Sequence, residues 1–358
     1  MQTGIIGLPR AGKTSLFKIL THAHPDTKVA QRATHVGVAR VPDRRLERLA
    51  ELYHPRKVTQ ATIAYVDSGG PVEDRARDSP FLTELREVDA LAHVLRVFDD
   101  PVVPHASGRI DPLRDAENLE LELLLKDLDQ AARRIERIEK DLKKKKEPAL
   151  AAELALLSRC RSLMEQERPL REVGFSADEQ RLLSSFMFLS ARPMLYVPNL
   201  GDAEVGEIDQ AMEKHNLRAL AGKPNTALVP ICGRIEAELA ELGEAEAAEM
   251  LSAYGLKESG PDRLVHATYK LLGLISFFTC NQAECRAWTI RRGTTALKAA
   301  GTVHSDFEHG FIKAEVVHAD DLLEAGSLAA ARQHGRLKLE GKEYVVEDGD
   351  VILFRHGT

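Results

Sequence analysis

Gly7-Leu8-Pro9-Arg10-Ala11-Gly12-Lys13-Thr14 fits G-x-x-x-x-G-K-[ST], a spacing suited to gripping a row of phosphates. Each part has a task. The glycines let backbone N–H groups turn inward around the anion. Lys13 neutralises charge on the outer phosphates, and the Thr14 hydroxyl is placed to ligate Mg2+. The start of the following helix adds its partial positive charge. A glycine turn with a solvated lysine is the plainer reading. An apolar strand before the motif and an amphipathic helix after it favour the phosphate reading. The expected ligand is a purine nucleoside triphosphate, contacted by Gly7, Leu8, Pro9, Arg10, Ala11, Gly12, Lys13, Thr14 and Ser15.

Two further motifs lie where chemistry of this kind needs them. Asp67-Ser68-Gly69-Gly70 follows an apolar run and fits D-x-x-G, in which Asp67 orders the metal's water and Gly70 contacts the outer phosphate. Asp-x-x-Gly also describes many turns, and the preceding phosphate loop favours function. Asn199-Leu200-Gly201-Asp202, again past an apolar run, reads equally as a base-recognition loop or a plain turn.

These motifs need a sheet to position them. Met1–Ile6, Val36–Val41, Ala61–Val66 and Ala90–Phe98 read as strands separated by helical stretches, which implies a parallel α/β sheet. Pro193–Val197 and Thr226–Ile231 continue it, with helices expected at Glu236–Leu251 and Asp262–Leu272. Between them Leu121, Leu124, Leu128, Ala131, Ile135, Ile138 and Leu142 recur at steps of three and four. A charged turn, Lys143–Lys146, leads to a second seam, Leu150, Leu154, Leu157 and Met164. The pair should fold as an antiparallel coiled-coil hairpin reaching roughly 40 Å. Its lysine tip reads either as a solvated turn or as a contact for RNA phosphate. Short strands at Arg286–Ile290, Phe311–Val317, Glu343–Val346 and Val351–Phe354 then suggest a small mixed β domain.

The bulk properties are those of a water-soluble chain. Of 358 residues, 29% are charged and the net charge of −6 excludes a general nucleic-acid-coating protein. No run has the ~18–20 apolar residues of a membrane span, and no signal peptide is evident, so a cytoplasmic location is expected. Cys160, Cys232, Cys280 and Cys285 form no zinc-type pair of pairs and read as reduced thiols.

The three motifs, in this order and with a coiled coil between the second and third, resemble the Obg-like ATPase (YchF) family of P-loop NTPases. Further likeness lies in Val41-Pro42-Asp43-Arg44, Glu87–Phe98, Val102–Leu113, Arg286–Thr289, His304–Phe307, Gly310–Val316 and Leu339–Phe354. The resemblance implies a Ras-like P-loop NTPase domain, an inserted antiparallel coiled-coil hairpin and a C-terminal β-grasp (TGS) domain. The expected spans are 1–113 and 187–276 for the nucleotide domain, 114–186 for the insertion and 277–358 for the β-grasp. It also implies Mg2+-dependent ATP hydrolysis, with GTP as a second substrate, and association with ribosomes or ribosomal RNA.

The family's base loop is N-x-x-E. Here Asn199 keeps the Asn, Leu200 stands at the lysine position of N-K-x-D loops, and Asp202 stands where the Glu would be, which leaves ATP favoured and GTP open. The resemblance also places the family's catalytic histidine at His105. Two departures stand out. The threonine that completes the Mg2+ shell aligns with Gln31 from one side and Thr34 from the other, and Thr34 is the better oxygen ligand. The loop after Gly70, Pro71–Pro80, is short, charged and nearly free of glycine. That loop motivates the alternative of a hydrolysis-poor, nucleotide-sensing adaptor that docks on RNA or ribosomes.

Overall fold

A computed structural model describes residues 1–21, 35–67, 80–100, 102–105, 108–145 and 147–357. Its contacts divide into two units, residues 1–38 with 64–267, and residues 39–63 with 268–358.

The first unit is a Ras-like P-loop domain with a helical insertion. Its sheet has the order β2-β4-β1-β5-β6-β7, from β1 (Gln2–Ile6), β2 (His35–Arg40), β4 (Thr62–Asp67), β5 (Ala90–Arg96), β6 (Met194–Asn199) and β7 (Thr226–Leu228). β1 runs parallel to β4 and β5, and β6 runs parallel to β5 and β7. Every residue of β5 and β6 is buried. That explains their near-continuous apolar sequences, since a parallel sheet is covered on both faces. Helices α1 (Lys13–Thr21) and α3 (Pro80–Glu87) belong to this unit, whereas α2 (Arg44–Tyr53) belongs to the second. The sheet's core joins Ile6, Val66, Leu91, Leu95, Met194 and Tyr196.

The insertion is a helical hairpin of α4 (Pro112–Lys144) and α5 (Pro148–Glu165). Proline opens each helix, where its missing N–H costs nothing. Asp111 caps α4 by accepting the Arg114 N–H at 3.3 Å. The buried seam is Leu124, Ala131, Ile135 and Ile138 against Leu156, Leu157, Cys160 and Met164. The heptad reading began one step early. Leu121 is exposed, because at the root of α4 Leu119 and Leu123 face the sheet's core instead. The root is held by buried charge. Asp127 accepts N–H groups from Leu189 at 3.1 Å and Ser190 at 2.7 Å and pairs with Arg86. Buried Arg171 pairs with Glu120 and donates to the Ser190 carbonyl.

The second unit is the β-grasp, with sheet order β11-β10-β12-β8-β9-β3. Its strands are β3 (Lys57–Thr59), β8 (Leu274–Cys280), β9 (Glu284–Arg291), β10 (Phe311–His318), β11 (Lys338–Glu340) and β12 (Asp350–His356). Residues 39–63, grouped by sequence with the nucleotide domain, share their contacts with this unit. The reason is long-range: β3 pairs in parallel with β9, Val58 opposite Cys285. Glu343–Val346 is not a strand. Val345 makes a single bridge to Thr295, and the edge strand lies earlier, at β11. Glu236–Leu251 is also two helices, Gly233–Leu239 and Glu244–Ala253, broken near Gly243. Among the described residues no helix is long and apolar enough to cross a membrane.

Candidate functional site

The phosphate loop leaves the buried strand β1 and turns back into α1. Gly7 (φ 143°), Arg10 (φ 64°) and Gly12 (φ 103°) take positive φ to do so. Two of these positions need glycine for space as well. A Cβ on Gly7 would lie 2.5 Å from the Val94 carbonyl oxygen, and one on Gly12 would lie 2.3 Å from Asn199 Nδ2. The Lys13 ammonium is drawn across the loop, donating to the Gly7 and Leu8 carbonyls at 2.8 and 2.9 Å. Pro9, Arg10, Thr14 and Ser15 are exposed, whereas Ala11 is buried.

Asp67 ends β4 directly beside β1, paired with Ile5. It is 2% exposed and accepts the Thr14 hydroxyl at 2.9 Å. A hydroxyl and a buried carboxylate meeting at the loop form a hard-oxygen donor pair. That chemistry suits Mg2+, which takes few protein ligands and fills its shell with water and phosphate oxygens. Thr34, Gln31, Gly70 and Pro71–Ser79 lie outside the described residues.

The loop expected to read the base begins at Asn199, the last residue of β6. Asn199 Nδ2 donates to the Ala11 carbonyl at 3.0 Å, and Oδ1 accepts the Gly233 N–H at 2.9 Å. One amide thus ties three loops together. Leu200 is 2% exposed and belongs to the core with Val97 and Ala211, so its side chain faces away from the cleft. Asp202 is half exposed, accepts from the Cys232 thiol at 3.5 Å and pairs with Arg234 at 3.0 Å. Sequence reasoning missed the 232–234 segment. Its only local signal was a Cys-Gly step after an apolar run, and Gly233 belongs to the site only because Asn199 reaches it.

One histidine lies against the cradle, and a second, His105, packs against α4. His93, on β5, is fully buried next to Gly7, with its Nε2 lacking a hydrogen-bond partner among the described residues. Burial, then the charges of Lys13 and Arg171, lower its pKa to about 3, so the ring is neutral. His105 follows β5 in a loop shaped by Arg96, which donates to the Phe98 and Val103 carbonyls at 3.2 and 2.6 Å. The His105 side chain is buried against the start of α4, its Nε2 3.0 Å from Asp115 Oδ2. Arg114 holds the other Asp115 oxygen at 3.0 Å.

The family YchF-GTPase_C, described as "Protein of unknown function (DUF933)", matches residues 274–357. The chain is 40% identical to the "Ribosome-binding ATPase YchF" of Bacillus subtilis (strain 168), over 99% of both chains. It is 37% identical to the protein of the same name from Escherichia coli O157:H7, over 98% of both. Among solved structures, that of the Schizosaccharomyces pombe YchF GTPase superposes with a TM-score of 0.83 at 28% identity, covering 99% of this chain and 97% of that one.

Proposed function

The chain belongs to the YchF family, and from that membership we propose that it binds and hydrolyses purine nucleoside triphosphates, ATP before GTP, as a switch on ribosomes. The observation that carries this reading is the cradle, with Lys13 across the loop and Thr14 joined to buried Asp67. Thr14 and Asp67 would hold Mg2+, with Thr34 as the further oxygen ligand, and the ion would neutralise charge gathering on the outer phosphates. Phosphoryl transfer is mainly positioning and electrostatics, so the chain's own share is large. Lys13 and the first N–H groups of α1 bind the outer phosphates and hold them still.

His105 is the residue proposed to position the attacking water. Its ring lies 3.0 Å from Asp115, a carboxylate that could orient the imidazole. Asp202 bears on the order of bases and leaves GTP open. Guanine would present two N–H donors to this carboxylate, but Arg234 already engages it. The names of the relatives divide on the point, ATPase for the bacterial proteins and GTPase for the fission-yeast structure. Exposed Lys143, Lys144 and Lys145 at the hairpin tip are suited to ribosomal RNA phosphate.

The test is single-turnover hydrolysis with ATP and with GTP. His105→Ala should slow the ATP reaction by about 100-fold or more, the usual scale for a positioned acid–base or water-holding group. Equal rates for the variant and the parent would remove His105 from the catalytic role, and parent turnover no higher than that of Lys13→Ala would leave the hydrolysis-poor adaptor as the better account.

A further inference from the structure

Cys280 and Cys285 have four residues between them in sequence and stand directly opposite each other in the fold. They are the last register pair of the antiparallel β8–β9 hairpin. Asn281 N–H donates to the Glu284 carbonyl at 3.1 Å, and Asn281 Oδ1 accepts the N–H groups of Ala283 and Glu284 at 2.7 and 2.9 Å. Asn281 and Glu284 therefore form the hydrogen-bonded pair that closes the turn. The next pair outward is a non-hydrogen-bonded one, in which Cα atoms approach to about 4.5 Å and side chains share a face. A disulfide accepts Cα separations from about 4.4 Å, so this position can be bridged without moving the backbone far. The two cysteines face each other across the register as free thiols.

Their surroundings make the pair more than a hairpin ornament. Cys285 is wholly buried, its sulfur 4.0 Å from the Leu49 carbonyl of α2, while Cys280 is partly accessible. Tyr53, in the last turn of α2, has a buried hydroxyl without a hydrogen-bond partner among the described residues. Burial and both sulfurs raise its pKa to about 12. The chain then passes His54 in a left-handed conformation, and Arg56 N–H donates to the Gln282 carbonyl in the hairpin turn at 3.1 Å. The dithiol thus sits where α2 and β3 are fastened to the hairpin.

We propose that Cys280 and Cys285 form a redox-active dithiol that closes to an intramolecular disulfide by exchange with a low-molecular-weight disulfide. The Cys280 thiolate attacks one sulfur of the small disulfide. That bond breaks, and the departing thiolate takes up the proton Cys280 lost. The Cys285 thiolate then attacks the Cys280 sulfur of the mixed disulfide and expels the second small thiol. One small disulfide is reduced to two thiols as the protein dithiol is oxidised. Burial raises both cysteine pKa values, so closure is slow at neutral pH and accelerates as pH rises. The turn already closes the intervening loop, so the bond adds little global stability. Its effect is local, because it removes both S–H groups beside Leu49 and Tyr53.

The full chain, incubated in oxidised and reduced glutathione mixtures, tests this by mass spectrometry without reduction. Trypsin releases Leu271–Arg286, which holds both cysteines and neither of the other two. The expected product is this peptide lighter by two hydrogens, in a chain not cross-linked to another copy, with buried Cys160 and Cys232 still alkylatable after unfolding. The rate should rise with pH. The single tryptophan, Trp288 on β9, should report closure by a fall in fluorescence. Cys285→Ser should stall at a stable glutathione adduct on Cys280. The proposal is overturned if the wild-type peptide keeps both thiols while a reference dithiol oxidises in the same buffer. A stable wild-type glutathione adduct, or a disulfide between copies, would overturn it equally.

Discussion

At the phosphate end of the nucleotide site, the key side chains project into the loop and meet backbone carbonyls or one buried carboxylate. Lys13 lies against Gly7 and Leu8, and Thr14 against Asp67. At the end proposed to hold the base, the side chains turn inward. Asn199 spends both ends of its amide on Ala11 and Gly233, and Leu200 is part of the core. The phosphate end is therefore a device of backbone shape and charge that depends little on distant packing. The base end doubles as a structural joint. Changes at the first should alter binding with the fold intact, and most changes at the second should disturb both.

Leu200→Lys is the sharpest way to break this contrast. By motif logic it restores the usual N-K-x-D lysine and should favour GTP. By the packing it places an ammonium in a site 2% exposed, at a cost of about 3–5 kcal/mol. Urea denaturation should show that loss, with no gain in GTP affinity by calorimetry. A stable variant with tighter GTP binding would show that the side chain reaches the cleft.

Lys13→Ala should do the opposite. Loss of contacts to a charged group costs about 1.5–3 kcal/mol, or about 10- to 100-fold in triphosphate affinity. The denaturation midpoint of the nucleotide-free chain should hardly move.

His93 sharpens the comparison from beneath the cradle. Folded, its pKa is about 3, and unfolded it is near 6.5. Between those values the unfolded chain holds the extra proton. Stability from this residue is thus complete above the unfolded value and is lost as pH falls, by up to about 1.4 kcal/mol per pH unit. His93→Gln should flatten the acid limb of stability measured from neutral pH to about pH 4. Parallel limbs would mean that His93 is protonated in the fold.

The smallest effect belongs to Asp202. It is half exposed and paired with Arg234, so Asp202→Asn should shift the ATP-to-GTP affinity ratio by less than about tenfold, with stability unchanged. A larger shift would make the carboxylate the dominant base reader.

The legible parts of this molecule were those fixed by local rules. Gly7–Thr14 could be read directly, because phosphate binding constrains residue type and spacing together. β5 and β6 were evident as apolar runs, and the hairpin as two apolar seams joined by Lys143–Lys146. What sequence could not supply was long-range. Nothing near Lys57–Thr59 signals a partner strand at Glu284–Arg286. Nothing near Leu200 says that its side chain points inward, and Gly233 joins the site only through Asn199. Glu343–Val346 misled because only Val346 of its β-branched pair is buried while Val345 is half exposed, and the segment is irregular, with Tyr344 bonded to Asp350.

The course of residues 39–63 has a consequence for how the molecule can be divided. The β-grasp unit is stitched from two stretches of chain, and α2 lies over its sheet. Arg45 stacks on Phe278 and pairs with Asp348, and Leu49 covers Cys285. A fragment cut to the family match at 274–357 would keep most of the strands. It would lose an edge strand and leave the faces of Phe278 and Cys285 open to water. The piece that travels as a unit in sequence is smaller than the piece that folds as one, so modularity here belongs to the alignment and not to the physical object.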